Sequence, residues 1–259
     1  TNGDVYAASA YGGLLRSQND GQTWEKVMGT GLAGGSSDDF HDFFYNETNQ
    51  TFYTSNDNSI YKSTTGNRAD WVSIGLGKPG FPNNVNRIEF AVCPGDPNIL
   101  YAIGAIGSFS SNTFVSNDGG ESWISRTEPA IFQGYGQAWY DLDIACDPFN
   151  CFKLLSGGVN MAESGFQGLT WKVIAQEMHT DHHIIAFDPK RQGRVIFGND
   201  GGIWLSENGG ASTVDKSIGY VTTQFYAGAI HPAAGSPYVM GGTQDNNSLI
   251  IEEAGLAPS

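Results

Sequence analysis

One eight-residue phrase recurs along the sequence, and this repeat limits the folds that the chain can adopt. The clearest copy runs from Ser116 to Trp123 and reads S-x-D-x-G-x-[ST]-W. Four imperfect copies, in which one or more of the defining residues are replaced or shifted, begin at Ser17, Ser63, Ser164 and Ser206. The positions that define the phrase are Ser17, Asn19, Gly21, Trp24, Ser116, Asp118, Gly120, Trp123, Ser164, Gly168, Trp171, Ser206, Asn208 and Gly210.

Each copy of the phrase is predicted to form a hairpin turn. An Asp or Asn side chain can bond the backbone two residues further on, and a glycine supplies a positive φ. The Ser and Thr hydroxyls can bond the remaining turn amides. The Trp is predicted to begin the next strand and to pack its ring beneath the turn. The phrase holds no nucleophile–base pair, so its predicted role is structural.

The spacing of the copies predicts the architecture. Successive copies begin 46, 53, 48 and 42 residues apart, and short proline turns recur in the same phase at Pro94, Pro148, Pro189 and Pro232. A period in the forties on strand-rich sequence is typical of a β-propeller with one blade per repeat. Only 15% of the residues are charged and 35 of 259 are glycine, a composition that favours short strands and tight turns over helices.

We therefore predict an all-β fold, a β-propeller of four-stranded antiparallel blades that forms one domain. About six blades are visible, and we expect them to be part of a larger propeller, since the sequence begins and ends in mid-blade. The predicted blades cover residues 1–30, 40–75, 85–127, 138–176, 179–218 and, incompletely, 222–255.

The formal net charge of −14 limits the classes of partner that the chain is expected to bind. A surface of this sign repels nucleic acid and anionic membranes, and the sequence holds no cluster of Lys and Arg to attract them. No stretch of 18 apolar residues is present, so we predict no membrane insertion. We predict no cofactor, although an acidic surface suits a bound divalent cation such as calcium.

The count of three cysteines does not decide between an oxidising and a reducing compartment. Cys146 and Cys151 flank the turn D-P-F-N, while Cys93 lies elsewhere. If the chain is exported, the two flanking cysteines could form a disulfide across a hairpin. The alternative is a pair of small buried thiols.

The segment His179–His183 (HTDHH) is the first candidate site. On a strand, His179, Asp181 and His183 would share one face, because side chains alternate. Two imidazoles and a carboxylate could bind a ligand or, with a group from another blade, a transition metal. The three would span about 13 Å, which is too long for them to reach one ion without help. The alternative is a hydrogen-bonded lining of the central channel.

The segment W-Y-D-L-D is the second candidate site. Alternation along a strand would place Trp139, Asp141 and Asp143 on one face. Sugar rings stack on Trp, and paired carboxylates act as acid and base in glycoside hydrolysis. Asp141 and Asp143 are therefore candidate catalytic residues and Trp139 a candidate ligand-binding residue. Here too, the alternative is a lining of the channel.

The repeated phrase resembles the Asp-box, or BNR repeat, of sialidases, sortilin-like receptors and xyloglucan-cleaving propellers. Nearly the whole chain is similar to the large secreted BNR propellers of Bacteroidetes, in segments such as HTDHHIIAFDP and VIFGNDGGIWLSENGG. The resemblance implies a secreted or cell-surface protein that is cargo of type IX secretion, with the export machinery and further domains as partners. It also places Gln244 and Asp245, from the G-T-Q-D-N segment, on the same face as the histidines.

Two functions remain open from the sequence. The first is a non-catalytic binding or display module, or purely structural export cargo, whose ligand would be a polysaccharide or a protein. The second is a glycoside hydrolase that uses the carboxylates of Asp141 and Asp143. The carboxylates do not fall in register with those of the xyloglucan-cleaving propellers, and the arginines show no sialidase-like arrangement, so the first function is favoured.

Overall fold

The computed structural model describes residues 3–32, 37–132, 134–220 and 223–252 of the chain. This part folds into strands and turns without helix, and it forms six antiparallel sheets. The all-β prediction is confirmed. Within the described residues no helix exists that could cross a membrane. Residues 1–2, 222 and 253–255 of the predicted blades lie outside these ranges.

The first three sheets, blades 1 to 3, are formed in chain order. Blade 1 contains β1 (Val5–Ser9), β2 (Gly13–Ser17) and β3 (Glu25–Met28). Blade 2 contains β4 (Phe40–Asn46), β5 (Thr51–Asn56), β6 (Ile60–Ser63) and β7 (Val72–Ser73). Blade 3 contains β8 (Asn86–Val92), β9 (Leu100–Ile106), β10 (Phe109–Ser110), β11 (Phe114–Ser116) and β12 (Ile124–Ser125).

Blades 4 to 6 follow in the same way. Blade 4 contains β13 (Asp143–Asp147), β14 (Asn150–Gly157), β15 (Met161–Ser164) and β16 (Lys172–Ile174). Blade 5 contains β17 (His182–Phe187), β18 (Val195–Asn199), β19 (Gly202–Ser206) and β20 (Val214–Asp215). Blade 6 contains β21 (Phe225–Ile230), β22 (Val239–Thr243) and β23 (Ser248–Ile251).

Within blades 1 to 5, the first strand of each blade lies next to the first strand of the following blade. These inner-strand contacts run from β1 to β4, β8, β13 and β17 in turn. Apolar side chains fill the space between neighbouring blades, with Tyr101 and Leu142 in the core between blades 3 and 4 and Phe197 in the core between blades 4 and 5. Burial of these faces supplies the main stabilisation of the array, because each blade covers its neighbour.

Four inner strands carry a β-bulge directly after their first residue. The extra residues are His41 in β4, Arg87 in β8, His183 in β17 and Tyr226 in β21. A bulge shifts the register by one residue and so re-aims the side chain at that position. The four bulged side chains therefore begin the inner strands at one face of the propeller.

The repeated phrase forms the turn before the outermost strand of its blade. The hydroxyl of Ser116 accepts a hydrogen bond from the backbone amide of Gly120 at 2.9 Å. The carboxylate of Asp118 accepts the amide of Ser122 at 2.9 Å. The serine-to-glycine bond recurs with lengths of 2.9, 3.0 and 2.9 Å in the copies that begin at Ser17, Ser164 and Ser206.

The tryptophans of these turns dock on the preceding blade. Trp123 is 4% exposed, and its indole N–H donates to the carbonyl of Ile74 in blade 2 at 2.7 Å. The indole of Trp171 donates in the same way to Thr127 after blade 3 at 3.2 Å. The indole N–H groups of these two rings thus bond the preceding blade and not their own turn. Trp24 bonds its own turn and is 44% exposed.

The predicted Cys146–Cys151 disulfide was wrong. Cys151 is bonded to Cys93 of the preceding blade, with Cα atoms 5.4 Å apart, and Cys146 is a buried free thiol. The reason is register, since Cys146 faces Leu154 across the hairpin rather than Cys151. The disulfide therefore joins blades 3 and 4.

Gly120→Ala tests the contact between blades. Gly120 has a φ of 90°, and a Cβ added there would lie 2.6 Å from the Cβ of Ile74. We expect the free energy of unfolding to fall by about 2–4 kcal/mol, through overpacking and the positive φ. Urea denaturation measures this change. Gly165→Ala is the matched control, because nothing lies within 4 Å of its added Cβ, and a similar loss there would contradict the contact argument.

Cys151→Ala tests the disulfide. The bond closes a loop of 58 residues, and its loss is expected to lower the free energy of unfolding by about 4 kcal/mol in the chain-entropy model. Thiol labelling after denaturation is expected to find one free thiol in the native sequence and two in Cys151→Ala. In Cys146→Ala it is expected to find none, whereas a thiol in that variant would contradict the pairing.

Candidate functional site

The HTDHH segment does not lie on one strand. Strand β17 begins at His182, so His179 and Asp181 precede it, and Asp181 has a φ of 64°. His183 occupies the bulge of β17 and is turned towards the loop after β18. The prediction that strand alternation places His179, Asp181 and His183 on one face was therefore wrong, because regular alternation applies only within a regular strand and two of the three lie outside β17.

The W-Y-D-L-D segment also departs from a strand. Residues 137–141 form a turn in which the amides of Tyr140 and Asp141 both donate to the carbonyl of Gln137. Trp139 is 65% exposed, whereas Asp141 is fully buried. The prediction that Trp139, Asp141 and Asp143 share one side was wrong, since β13 begins only at Asp143.

The turn and the HTDHH segment nevertheless meet. The amide Nε2 of Gln137 donates to Asp141 Oδ2 at 3.0 Å and to Asp181 Oδ1 at 2.5 Å. One side chain thus bridges two carboxylates, one from each predicted candidate segment. We name the surrounding surface the aspartate face, which comprises Gln137, Trp139, Tyr140, Asp141, His179, Asp181, His183, Asp200 and Asp245.

Both histidines of the aspartate face are held by hydrogen bonds. His183 Nε2 lies 2.7 Å from Asp200 Oδ1, and the ring of Tyr140 meets the imidazole edge-on with centroids 4.7 Å apart. His179 contacts two backbone carbonyls, those of Thr180 at 3.0 Å and Asp245 at 2.9 Å. The last contact brings blade 6 to this face, and Gln244 contributes a hydrogen bond to the carboxylate of Asp245.

Burial, neighbouring charges and hydrogen bonds shift the pKa values of several groups at the aspartate face. Burial, strengthened by the charge of Asp181, raises the pKa of Asp141 to about 7 against the hydrogen bond from Gln137. Burial and the charge of Asp200 raise the pKa of Asp181. The two carbonyl contacts raise the pKa of His179, although burial of its ring opposes them.

The carboxylates of the aspartate face have no basic partner from lysine or arginine. None of the ion pairs found in the described residues joins Lys or Arg to Asp141, Asp181, Asp200 or Asp245. In addition, Asp141 Oδ1 is buried without a hydrogen-bond partner. A buried oxygen that accepts no hydrogen bond lowers the free energy of unfolding, so Asp141 Oδ1 is a notable feature of the site.

A second acidic cluster, here named the deep cluster, lies on the inner strands of the propeller and was missed from the sequence. Asp42, Glu89 and Asp143 belong to the inner strands of blades 2, 3 and 4, and burial raises their pKa values to about 6, 8 and 7, respectively. Arg87 binds Glu89 at 2.8 Å, and Asp143 accepts the backbone amides of Ile144 and Ile185. These contacts are structural, and they separate Asp143 from Asp141. The only sequence signal was an acidic residue near the start of each inner strand.

The pair formed by His183 and Asp200 has a counterpart in blade 2. His41, the bulged residue of β4, lies 2.9 Å from Asp57 in the loop after β5. Both aspartates follow an asparagine, in N-D-N and N-D-G, and this recurrence could have revealed the pairs from the sequence. The described residues contain no group of three or more His, Cys, Asp or Glu side chains placed to hold a metal ion.

Glu89→Gln tests the deep cluster. Folding raises the pKa of Glu89 to about 8, so the folded state keeps a proton that the unfolded chain has released. This stabilisation is present below the ordinary glutamate pKa and is lost as the pH rises to about 8. Between about pH 5 and pH 8 the unmodified chain is expected to lose on the order of a few kcal/mol more than Glu89→Gln. Urea denaturation across this range measures it, with exposed Glu47→Gln as control, and parallel curves would contradict the argument.

Comparison with known proteins identifies the fold. No protein-family model and no curated protein matches the sequence. Among solved structures, the Niastella koreensis GH74 enzyme is similar at 16% identity with a TM-score of 0.57, over 85% of this chain and 36% of that enzyme. A structure of YCF48 bound to D1 peptide is similar at 17% identity with a TM-score of 0.50, over 93% of this chain and 72% of that chain.

A chain in a nidogen–laminin complex is also similar, at 11% identity with a TM-score of 0.56, over 96% of this chain and 88% of that chain. The chain thus spans about a third of the GH74 enzyme and most of the other two. At these identities the likeness concerns the fold, and these neighbours include a GH74 enzyme as well as YCF48 and a chain of a nidogen–laminin complex. Together with its six antiparallel sheets, the comparison shows that the chain is a β-propeller.

Proposed function

We propose that this chain is a non-catalytic binding module, secreted or displayed on the cell surface, whose aspartate face takes a polysaccharide or protein ligand. The observation that carries the proposal is an exposed aromatic pair beside fixed polar groups. Trp139 and Tyr140 have ring centroids 5.6 Å apart and are 65% and 45% exposed. Exposed rings beside oriented hydrogen-bonding groups are typical of ligand sites.

The polar groups around this pair are oriented in advance. His183 is fixed between Asp200 and the ring of Tyr140, and Gln137 is fixed by two carboxylates. Because these side chains are already ordered, a ligand would lose little affinity to their immobilisation. This favours binding at the aspartate face.

The carboxylates argue against a catalytic role. Asp141 is buried beneath the turn, and both oxygens of Asp143 accept backbone amides. A general acid must come within hydrogen-bond reach of the glycosidic oxygen, which neither group offers in this arrangement. The pair proposed from the sequence, Asp141 and Asp143, is therefore not favoured.

The Cys93–Cys151 disulfide supports the proposed location outside the cell, since structural disulfides persist in oxidising compartments. The likeness of the sequence to BNR propellers further supports export by type IX secretion, with further domains as partners. The similar YCF48 structure, bound to D1 peptide, supports a protein ligand as one use of this fold.

A second candidate function is glycoside hydrolysis by Asp141 and Asp181. Their contacts to Gln137 measure 3.0 and 2.5 Å, so the two carboxylate oxygens lie within about 5.5 Å of each other. Retaining glycosidases hold their carboxyl groups about 5–5.5 Å apart. Gln137 occupies the space between them, however, and would have to leave before a sugar could enter.

Trp139→Ala tests the binding module. Loss of the exposed ring is expected to weaken ligand binding by about tenfold or more, because stacking contributes on the order of 1–2 kcal/mol. Titration of ligands selected on glycan and peptide arrays measures the effect. Tyr11→Ala is the control, since Tyr11 is exposed on blade 1, away from the aspartate face. Release of reducing sugar that disappears in Asp141→Asn would contradict the non-catalytic proposal.

A further inference from the structure

We infer that the position between Asp141 and Asp181, which the Gln137 amide bridges in this structure, is a binding site for a protonated amine, supplied by a lysine side chain of a protein ligand. This inference rests on the proposed binding function and names the chemistry that the aspartate face selects. In the structure, the amide nitrogen of Gln137 occupies the position that the ammonium group of the ligand would take.

A count of donors supports an ammonium group at this position. The amide of Gln137 has two hydrogens, and its nitrogen contacts Asp141 Oδ2 and Asp181 Oδ1. Asp141 Oδ1 stays buried without a partner. An ammonium group has three donors, so it can supply one hydrogen bond more than the amide of Gln137 does.

The charge of the site also favours a cation. The charges of Asp200 and Asp245 reach Asp181, and the charge of Asp181 reaches Asp141. His183 pairs with Asp200, but no lysine or arginine forms an ion pair with these aspartates among the described residues. A neutral amide such as that of Gln137 relieves none of this repulsion, whereas a cation relieves it and forms stronger, charge-assisted hydrogen bonds.

The burial of Asp141 favours lysine over an amino sugar. Asp141 is fully buried, and Gln137, which bonds it, is half-buried. A charged group must therefore reach inwards past Gln137 on a narrow stem. Lysine carries its ammonium on four methylene groups, whereas the amine of an amino sugar is attached directly to a bulky ring.

The exposed aromatic pair completes the site. The methylene stem of a lysine can lie along apolar surface while its head bonds the carboxylates. Trp139 and Tyr140 directly precede Asp141 in the turn and present such a surface. A cation near a Tyr or Trp ring gains further attraction from the ring electrons.

The test compares peptides that differ only in one charge. Short peptides with a central lysine, and the same peptides with that lysine acetylated on Nε, are screened on an array, and the strongest binder is titrated by calorimetry. Acetylation keeps the stem and removes the charge. We expect the lysine peptide to bind at least about tenfold more tightly than its acetylated form.

Substitutions at the aspartate face test whether the preference for unmodified lysine arises there. Asp181→Asn is expected to abolish the preference for the unmodified lysine while keeping residual binding through Trp139. Gln137→Ala is expected to keep or increase the preference, because it removes the competing amide. Glu47→Gln, an exposed acid in the turn between β4 and β5, is the control for net charge and is expected to leave the preference unchanged. The carboxyl carbon resonance of Asp141 is expected to shift on binding of the lysine peptide alone.

The failure of this inference differs from the failure of the proposed function. Equal binding of the lysine and acetyl-lysine peptides, or a preference that survives in Asp181→Asn, would overturn the amine site while leaving the binding module in place. Binding of neutral glycans alone, dependent on Trp139, would have the same meaning. If no peptide or glycan binds in a manner that depends on Trp139, both proposals fall. Thermal melting of each variant verifies that it is folded.

Discussion

The close approach of one blade's turn to the preceding blade is the constraint on which the rest of the structure depends. In the copies that begin at Ser116, Ser164 and Ser206 a serine hydroxyl holds a glycine amide, and the glycine then lies against the neighbouring blade. Gly120 meets Ile74 and Gly210 meets Ile174, each at a distance that leaves no room for a side chain. The hydrogen bond of the turn therefore fixes the glycine that packs against the neighbouring blade, and the same arrangement recurs in these copies.

This repeat also places the candidate site. Because every blade starts with an inner strand, the residues before these strands gather at one face of the propeller. The bulges at His41 and His183 then turn imidazoles towards the aspartates of the neighbouring loops. Asp141 and Asp181 come together for the same reason, since each lies just before the inner strand of its own blade.

The sequence predicted the periodic features well and the irregular ones poorly. The spacing of the phrase predicted an all-β propeller, because the period reflects a repeated unit of packing. Alternation along a strand failed at His179 and at Trp139, since turns and bulges replace regular strand there. The disulfide between Cys93 and Cys151 could not be derived either, because it joins different blades, and a single sequence does not show which strands are neighbours. Gln137 was missed because its bridging role depends on Asp181, which lies 44 residues further along the sequence.

The two acidic clusters of the propeller differ in how completely they are satisfied. In the deep cluster, Glu89 has Arg87, and Asp143 has two backbone amides. These groups need nothing from outside the chain. At the aspartate face, Asp141 keeps one oxygen without a partner, and its neighbour Asp181 is held by a neutral amide. A buried carboxylate left in this state reduces stability. Under the proposed function a ligand would supply the missing donor, and this need is the difference between the aspartate face and the deep cluster.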